Sequence, residues 1–254
     1  MTFRIQALLS FSTSIVLAGL LGWSFQAQAD PSAEEILKKS DTARGGGLPG
    51  VYWSVMVDAI DGDKTINQGL TVKADTHNSL AEFFSPHNIA DQKLLMTGRN
   101  MWFIRSGLRK PVPISPRQRL LGQAANGDIA ATDYVDDYQA KLLGEENIDG
   151  QNCYKLQLTA RNDQVIYPRI DYWVSVAQGL GVKADFYSLS GKIIKSASFE
   201  YNNSVDYQGK VIPFVSRMII QDGINKGQKT ILEYSAVKVE KIPRRAFDID
   251  FLMN

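Results

Sequence analysis

Cysteine is almost missing: Cys153 is the single one in a chain of 254 residues. No intrachain disulfide can form, so stability must come from a packed core, which a 44% hydrophobic chain can supply. In the alternating run Cys153-Tyr154-Lys155-Leu156-Gln157-Leu158 the thiol reads as a small buried apolar group. A reactive thiol would need a basic neighbour. Histidine is nearly as scarce, with His77 and His87 near the two ends of one predicted strand. A hydrolytic triad needs a base, usually histidine, and no G-x-S-x-G surrounds any serine here. No H-E-x-x-H is present, and two histidines with one cysteine do not make the usual structural zinc site.

An excess of charge of either sign is also missing. The chain carries 28 basic and 27 acidic residues, which argues against nucleic acid as a partner. Gly223-Ile224-Asn225-Lys226-Gly227-Gln228-Lys229-Thr230 has a spacing too short for a phosphate-binding loop and lies between predicted strands, so it reads as a hairpin. Asp61-Gly62-Asp63 lacks the further ligands of a calcium loop. Carboxylate pairs for glycoside cleavage could form in many ways, and nothing singles one out. We therefore assign no catalytic residue, metal or cofactor, and expect a protein that is not an enzyme.

No apolar run reaches the roughly 20 residues of a membrane span. The apolar stretch Ile15 to Phe25 follows Arg4 and a Ser/Thr-rich segment, and it precedes Ala27-Gln28-Ala29. This is the pattern of a secretory signal, residues 1–29, cleaved before Asp30. No cysteine stands near the cleavage point to be acylated. The remaining 30–254 suits a single domain of balanced charge, expected to be free in solution after export.

What is present is mostly a period of two. Ser32 with Ala33 to Ser40 reads as a capped helix reaching about Thr42, acidic first and basic last. The breaker Gly45-Gly46-Gly47-Leu48-Pro49-Gly50 ends it. Strands are then expected at 51–58, 65–73, 79–84, 93–97, 101–104, 138–145, 152–160, 169–176, 182–188, 193–201, 214–221 and 230–239, with Gly/Asn/Asp turns between them. Between Arg105 and about Asp137 the rhythm breaks, first in a basic, proline-punctuated loop and then in an acidic stretch, 128–137, able to form a short helix. The expected class is mainly β (α+β): a curled antiparallel sheet or half-barrel of ten or eleven strands, with one to three helices closing an apolar cavity.

Large apolar side chains fall on both parities of these strands. They either fill the core or line a cavity left for acyl chains, methionines supplying adaptable contacts. The lining candidates are Trp53, Val55, Phe84, Met96, Met101, Phe103, Tyr172, Phe186, Met218 and Tyr234. Arg105, Arg109, Lys110, Arg117 and Arg119, stiffened by Pro111, Pro113 and Pro116, are either a solvated surface or a docking patch for anionic headgroups or an acidic transporter face.

Several stretches resemble a known family. Leu95-Met96-Thr97-Gly98-Arg99-Asn100-Met101-Trp102, then Pro113-Ile114-Ser115-Pro116-Arg117-Gln118-Arg119-Leu120-Leu121-Gly122, look like the outer-membrane lipoprotein-sorting protein family, relatives of the periplasmic lipoprotein carrier of Gram-negative bacteria. Tyr138 to Leu158, with Gly150-Gln151-Asn152-Cys153-Tyr154-Lys155-Leu156, and Tyr172-Trp173-Val174 with Val182-Lys183 also match its run of strands. The resemblance implies an open curved sheet with helices over an apolar cavity, a lipid or lipoprotein cargo, and an inner-membrane transporter that loads it. Some members of this branch work with resistance-nodulation-division-type lipid exporters, which leaves the cargo open. The expected function is a monomeric periplasmic carrier that passes acyl chains between envelope partners. The second reading is a periplasmic adaptor or sensor that contacts such an exporter and carries nothing.

Overall fold

The computed structural model describes residues 31–130 and 133–253; the expected signal segment lies outside the described residues. Helix α1 (Ala33–Thr42) starts where the sequence demands it. Ser32 Oγ accepts the Glu35 amide at 3.2 Å while the Ser32 amide donates to Glu35 Oε2 at 2.8 Å, closing a capping box. The Ser32 contacts hold the exposed Glu35 carboxyl below its ordinary value. The helix buries Ile36, Leu37, Ser40 and Asp41, and the chain then turns at Gly45 and Gly47, both at positive φ.

The strands run in order β1 (Val51–Asp61), β2 (Lys64–Ala74), β3 (Asn78–Ser85), β4 (Lys93–Thr97), β5 (Asn100–Ile104), β6 (Val112–Ile114), β7 (Arg119–Leu121) and β8 (Ala124–Ala125). After the short helices α2 (Asn126–Ala130) and α3 (Tyr134–Asp137) come β9 (Tyr138–Ile148), β10 (Gln151–Ala160), β11 (Arg169–Ser175), β12 (Gly181–Tyr187) and β13 (Ile193–Glu200). Then follow β14 (Asn203–Tyr207), β15 (Lys210–Phe214), β16 (Arg217–Asp222), β17 (Gln228–Val239) and a final helix α4 (Ile249–Met253). Thirteen strands form one antiparallel sheet in the order β6-β5-β4-β3-β2-β1-β17-β16-β13-β12-β11-β10-β9. The expected curled antiparallel sheet with few helices is what the chain builds, with small strands added to the expected set.

Three features depart from a simple meander. The first and last long strands pair in the middle of the sheet, Val51 opposite Val239 and Asp61 opposite Gln228. The strand expected over 214–221 is broken at Val215-Ser216: β15 pairs with β14 in a separate hairpin, and β16 joins β13 directly. Asn203 Nδ2 holds the break, donating to Val215 O and Tyr234 O at 2.9 and 2.8 Å. The expected loop 105–137 contains three short strands, and the single helix expected over 128–137 is two, α2 and α3. β6 tolerates Pro113 because it is an edge strand, where a missing amide costs no ladder bond.

Alternation sorts the side chains onto two faces. On the inner face Val51, Trp53, Val55 and Val57 of β1 join Leu70, Leu156, Tyr172, Phe186 and Leu232 in the main core under α1 and the 112–137 insert. Fully buried aliphatic residues there, such as Val55 and Leu70, contribute about 1.5–3 kcal/mol each. On the outer face Leu80, Leu95 and Ile104 form a second core with Ile242 and Phe247 of the C-terminal segment.

Candidate functional site

The insert between β5 and β9 is fastened across the inner face of the sheet by polar ties. Thr230 Oγ1 of β17 accepts the Gln123 amide at 2.7 Å, and Lys195 of β13 donates to Gln123 O at 3.0 Å. The same ammonium pairs with Asp128 of α2, which also accepts from the Tyr167 hydroxyl at 2.8 Å and the Ala125 amide at 2.7 Å. The two side chains are only 6% and 3% exposed, and the ammonium lies 4.9 Å from the Tyr167 ring and 5.2 Å from Phe186. Gly122, at φ 55°, approaches so closely that a Cβ there would collide with Thr230 Oγ1 and Ala59 Cβ. Arg117 donates to the carbonyls of Asp163, Val165 and Ile166.

A second set of ties joins α3 to α1. Asp41 Oδ2 accepts the Tyr134 amide at 2.7 Å and the Val135 amide at 3.4 Å. Burial pushes the Asp41 carboxyl up to about 7, against the pull of the Arg44 guanidinium beside it. Arg44 stacks 4.2 Å over the Tyr134 ring and 5.5 Å from Phe199. Ser40 Oγ and the Tyr172 hydroxyl are 2.6 Å apart, which ties α1 to β11.

Two of the cavities among the described residues lie where the insert does not fill the curve of the sheet. The larger, about 460 Å³, is lined by Phe83, Leu94, Phe103, Ile114 and Leu120 and by the polar Gln68, Gln92, Gln118, Arg119 and Asn126, of which Gln118 and Arg119 are exposed at its mouth and Asn126 is buried. The smaller, about 270 Å³, is bounded by Met96, Pro116, Val165 and Ile166, and by His77, Arg99 and a group of aspartates. Arg99 pairs with Asp137 at its edge, and burial raises the carboxyls of Asp133 and Asp137. Leu94 and Met96 are successive inner-face residues of β4, so the cavities follow one another at a spacing of about 7 Å.

The lining candidates read from sequence divide into three groups. Phe103 lines the larger cavity and Met96 the smaller. Trp53, Val55, Met101, Tyr172, Phe186 and Met218 are buried in the inner-face core, and Tyr234 is half-buried beside it. Phe84 stands apart: it is 47% exposed on the opposite parity, its ring lying where a Cβ on Gly69 would be. Of the basic residues, Arg105 pairs with Asp91 at 3.4 Å, Arg109 and Lys110 are exposed, Arg117 is turned onto backbone carbonyls, and Arg119 lines the larger mouth. His77 lines the smaller cavity, with no serine among the described residues that line it, and His87 sits in a 3₁₀ turn after β3.

Sequence reading passed over Asp128, Lys195, Asp41 and Arg44. Lys195 had a visible signal: it shares the inner parity of β13 with Ala197 and Phe199, where a charge is out of place. Among the described residues, no helix is long and apolar enough to cross a membrane, and no group of three His, Cys, Asp or Glu side chains is placed to hold a metal ion.

A family model described only as an uncharacterized protein matches residues 75–254. No match is found among curated proteins. Among solved structures, a LolA superfamily protein from Nitrosomonas europaea is 31% identical, with a TM-score of 0.78 over 87% of this chain and 100% of its own. A putative outer membrane lipoprotein-sorting protein domain from Vibrio parahaemolyticus shares the fold at 17% identity and a TM-score of 0.72, over 87% of this chain and 98% of its own. A protein from Desulfovibrio piger, of a family defined as a domain of unknown function, shares it at 22% identity and a TM-score of 0.72, over 87% and 97% of the two chains. With the Nitrosomonas relative aligned over its whole length, and with one open antiparallel sheet that carries α1 and the insert on its inner face and α4 on its outer face, the chain belongs to the LolA superfamily.

Proposed function

We propose that this protein is a periplasmic carrier that shelters the acyl chains of a lipid or lipoprotein and passes them between envelope partners, an inner-membrane transporter being the source. Export is part of the proposal, with residues 1–29 removed before Asp30. The observation that carries it is the cavity of about 460 Å³. Its size lies within the roughly 300–1,000 Å³ usual for small-molecule sites, and its lining combines apolar with polar side chains, as an amphiphile requires. Each acyl CH₂ moved from water onto its apolar side chains is worth about 0.8 kcal/mol, so a few carbons give useful affinity while release stays possible. The insert enters through β6, which pairs with β5 at the sheet edge, and beyond β6 it is held over the inner face by discrete polar ties. Its displacement would add the inner-face residues Met101, Trp53 and Phe186 to the lining. The Vibrio protein of the same fold, described as a putative lipoprotein-sorting domain, is consistent with this reading.

Phe103→Asp tests it. The side chain lines the cavity and is only half-buried, so a carboxylate there can reach the mouth without unfolding the sheet. Uptake of a fluorescent long-chain fatty acid should fall about tenfold or more, while Phe103→Leu retains it and both variants keep the wild-type melting temperature. Undiminished uptake by Phe103→Asp would remove this cavity from the function.

A further inference from the structure

Three neighbouring hairpins of the sheet end in exposed aliphatic side chains. Register puts their turns at one end: Asp61 pairs with both Lys64 and Gln228, Asp222 with Lys195, and Ile193 with Tyr187. The turns therefore stand side by side across the adjacent strands β2-β1-β17-β16-β13-β12, a width of about 24 Å at ordinary strand spacing. Ile224 at the β16–β17 tip is 91% exposed, Leu189 at the β12–β13 tip 88%, and Ile66 beside the β1–β2 tip 61%. Single exposed aliphatic residues are ordinary on a soluble surface, but their recurrence on successive tips of one rim is not.

The turns are ordered, so the apolar groups are held outward. Asp222 Oδ1 accepts the amides of Ile224 and Asn225, both at 2.7 Å, and Ser188 and Ser190 Oγ lie 2.9 Å apart on either side of Leu189. Bases are interleaved with them: Lys64, Lys192, Lys226 and Lys229 lie on the same hairpins. Of the acids there, Asp222 has its carboxylate turned into its own loop and Asp61 accepts from Gln228, while Asp63 stands exposed in the β1–β2 turn against the four lysines. The loop carrying Arg109 and Lys110 leaves β5 in the same direction, although register places Ile104 level with Ser54, seven residues short of Asp61. The larger cavity lies toward this end too: Gln68 in its lining pairs with Val57, and the turn after Arg119 brings Gly122 against Ala59, two residues from Asp61.

We propose that this rim docks on an anionic lipid bilayer, with Leu189 and Ile224 entering the interface, the bases meeting the headgroups, and the cavity mouth facing the lipid. Separate apolar points among lysines suit a deformable interface, whereas a protein partner would require a contiguous complementary patch. The docking deepens the carrier reading and rests on it for its purpose: an acyl chain could then move between bilayer and cavity without crossing water.

The test is co-sedimentation of the full chain with phosphatidylcholine vesicles, with and without phosphatidylglycerol at about one part in three. Wild type should bind the anionic vesicles, less so as salt rises. Leu189→Asp/Ile224→Asp should bind them about tenfold or more weakly, since each tip contributes one buried aliphatic group. Both sites are exposed, so its melting temperature should not change, and its fatty-acid uptake should stay at the wild-type level. Equal binding by the two proteins, or no binding by wild type, overturns the docking; loss of uptake in wild type overturns the carrier reading and leaves the docking measurable.

Discussion

Lys195 brings a full charge into surroundings made of Phe186 and Tyr167, and it is tolerated there because Asp128 and the Gln123 carbonyl meet it. Such a pair adds little net stability against a well-packed apolar replacement, but removing one member strands the other. Lys195→Met leaves the Asp128 carboxylate buried without its cation, and urea unfolding should show a loss of about 3–5 kcal/mol. Lys195→Met/Asp128→Asn should recover most of that, because the amide oxygen can still accept from the Ala125 amide while its NH₂ donates to the Tyr167 hydroxyl oxygen. A loss under about 1 kcal/mol in the single variant would mean that the pair does not hold the insert. The same residue shows what a sequence conceals. The parity of Lys195 marks it as misplaced, but its partner lies on another element, and local spacing does not say which acid that is. Trp53, Val55, Tyr172, Phe186 and Met218 were legible as large apolar strand residues that either fill the core or line a cavity; alternation does not say which parity faces inward, and the fold places them in the inner-face core. Phe84 shows the limit of that method: hydrophobicity alone placed it with them, while its parity with Leu80 puts it on the other face.

At the scale of elements, the insert is the part most exposed to test. Gly122 needs its positive φ and its lack of a Cβ to let the β7–β8 turn approach Thr230 and Ala59. Gly122→Ala should strain both and cost roughly 1–3 kcal/mol. Hydrogen exchange should then rise across residues 119–130 while β10 to β13 keep their protection, as expected of a roof that loosens apart from its floor. Uniform loosening of the sheet would contradict a separable insert. Helix α1 and the long strands were legible because capping and period-two alternation are local signals. The insert was not: β6 and β7 are three residues each, too short to display a period, and prolines beside them read as loop. The break at Val215-Ser216 was hidden for a related reason, since Phe214 and Met218 continue the apolar pattern across it.

For the whole molecule, the pairing of β1 with β17 decides the architecture, and no local pattern announces a contact between opposite ends of a chain. It turns two meanders into one continuous curved sheet, with the insert roofing the inner face and both cavities between them. It also gathers three hairpin tips at the end toward which the larger cavity lies, an arrangement suited to exchange with a surface. The central claim is that this space holds acyl chains. Native mass spectrometry of the protein, purified from an envelope extract without detergent, tests it most directly. The account predicts a bound mass of a phospholipid or acylated peptide that is absent from Phe103→Asp prepared in parallel. A wild-type protein that arrives empty and stays empty after incubation with lipid vesicles would contradict it.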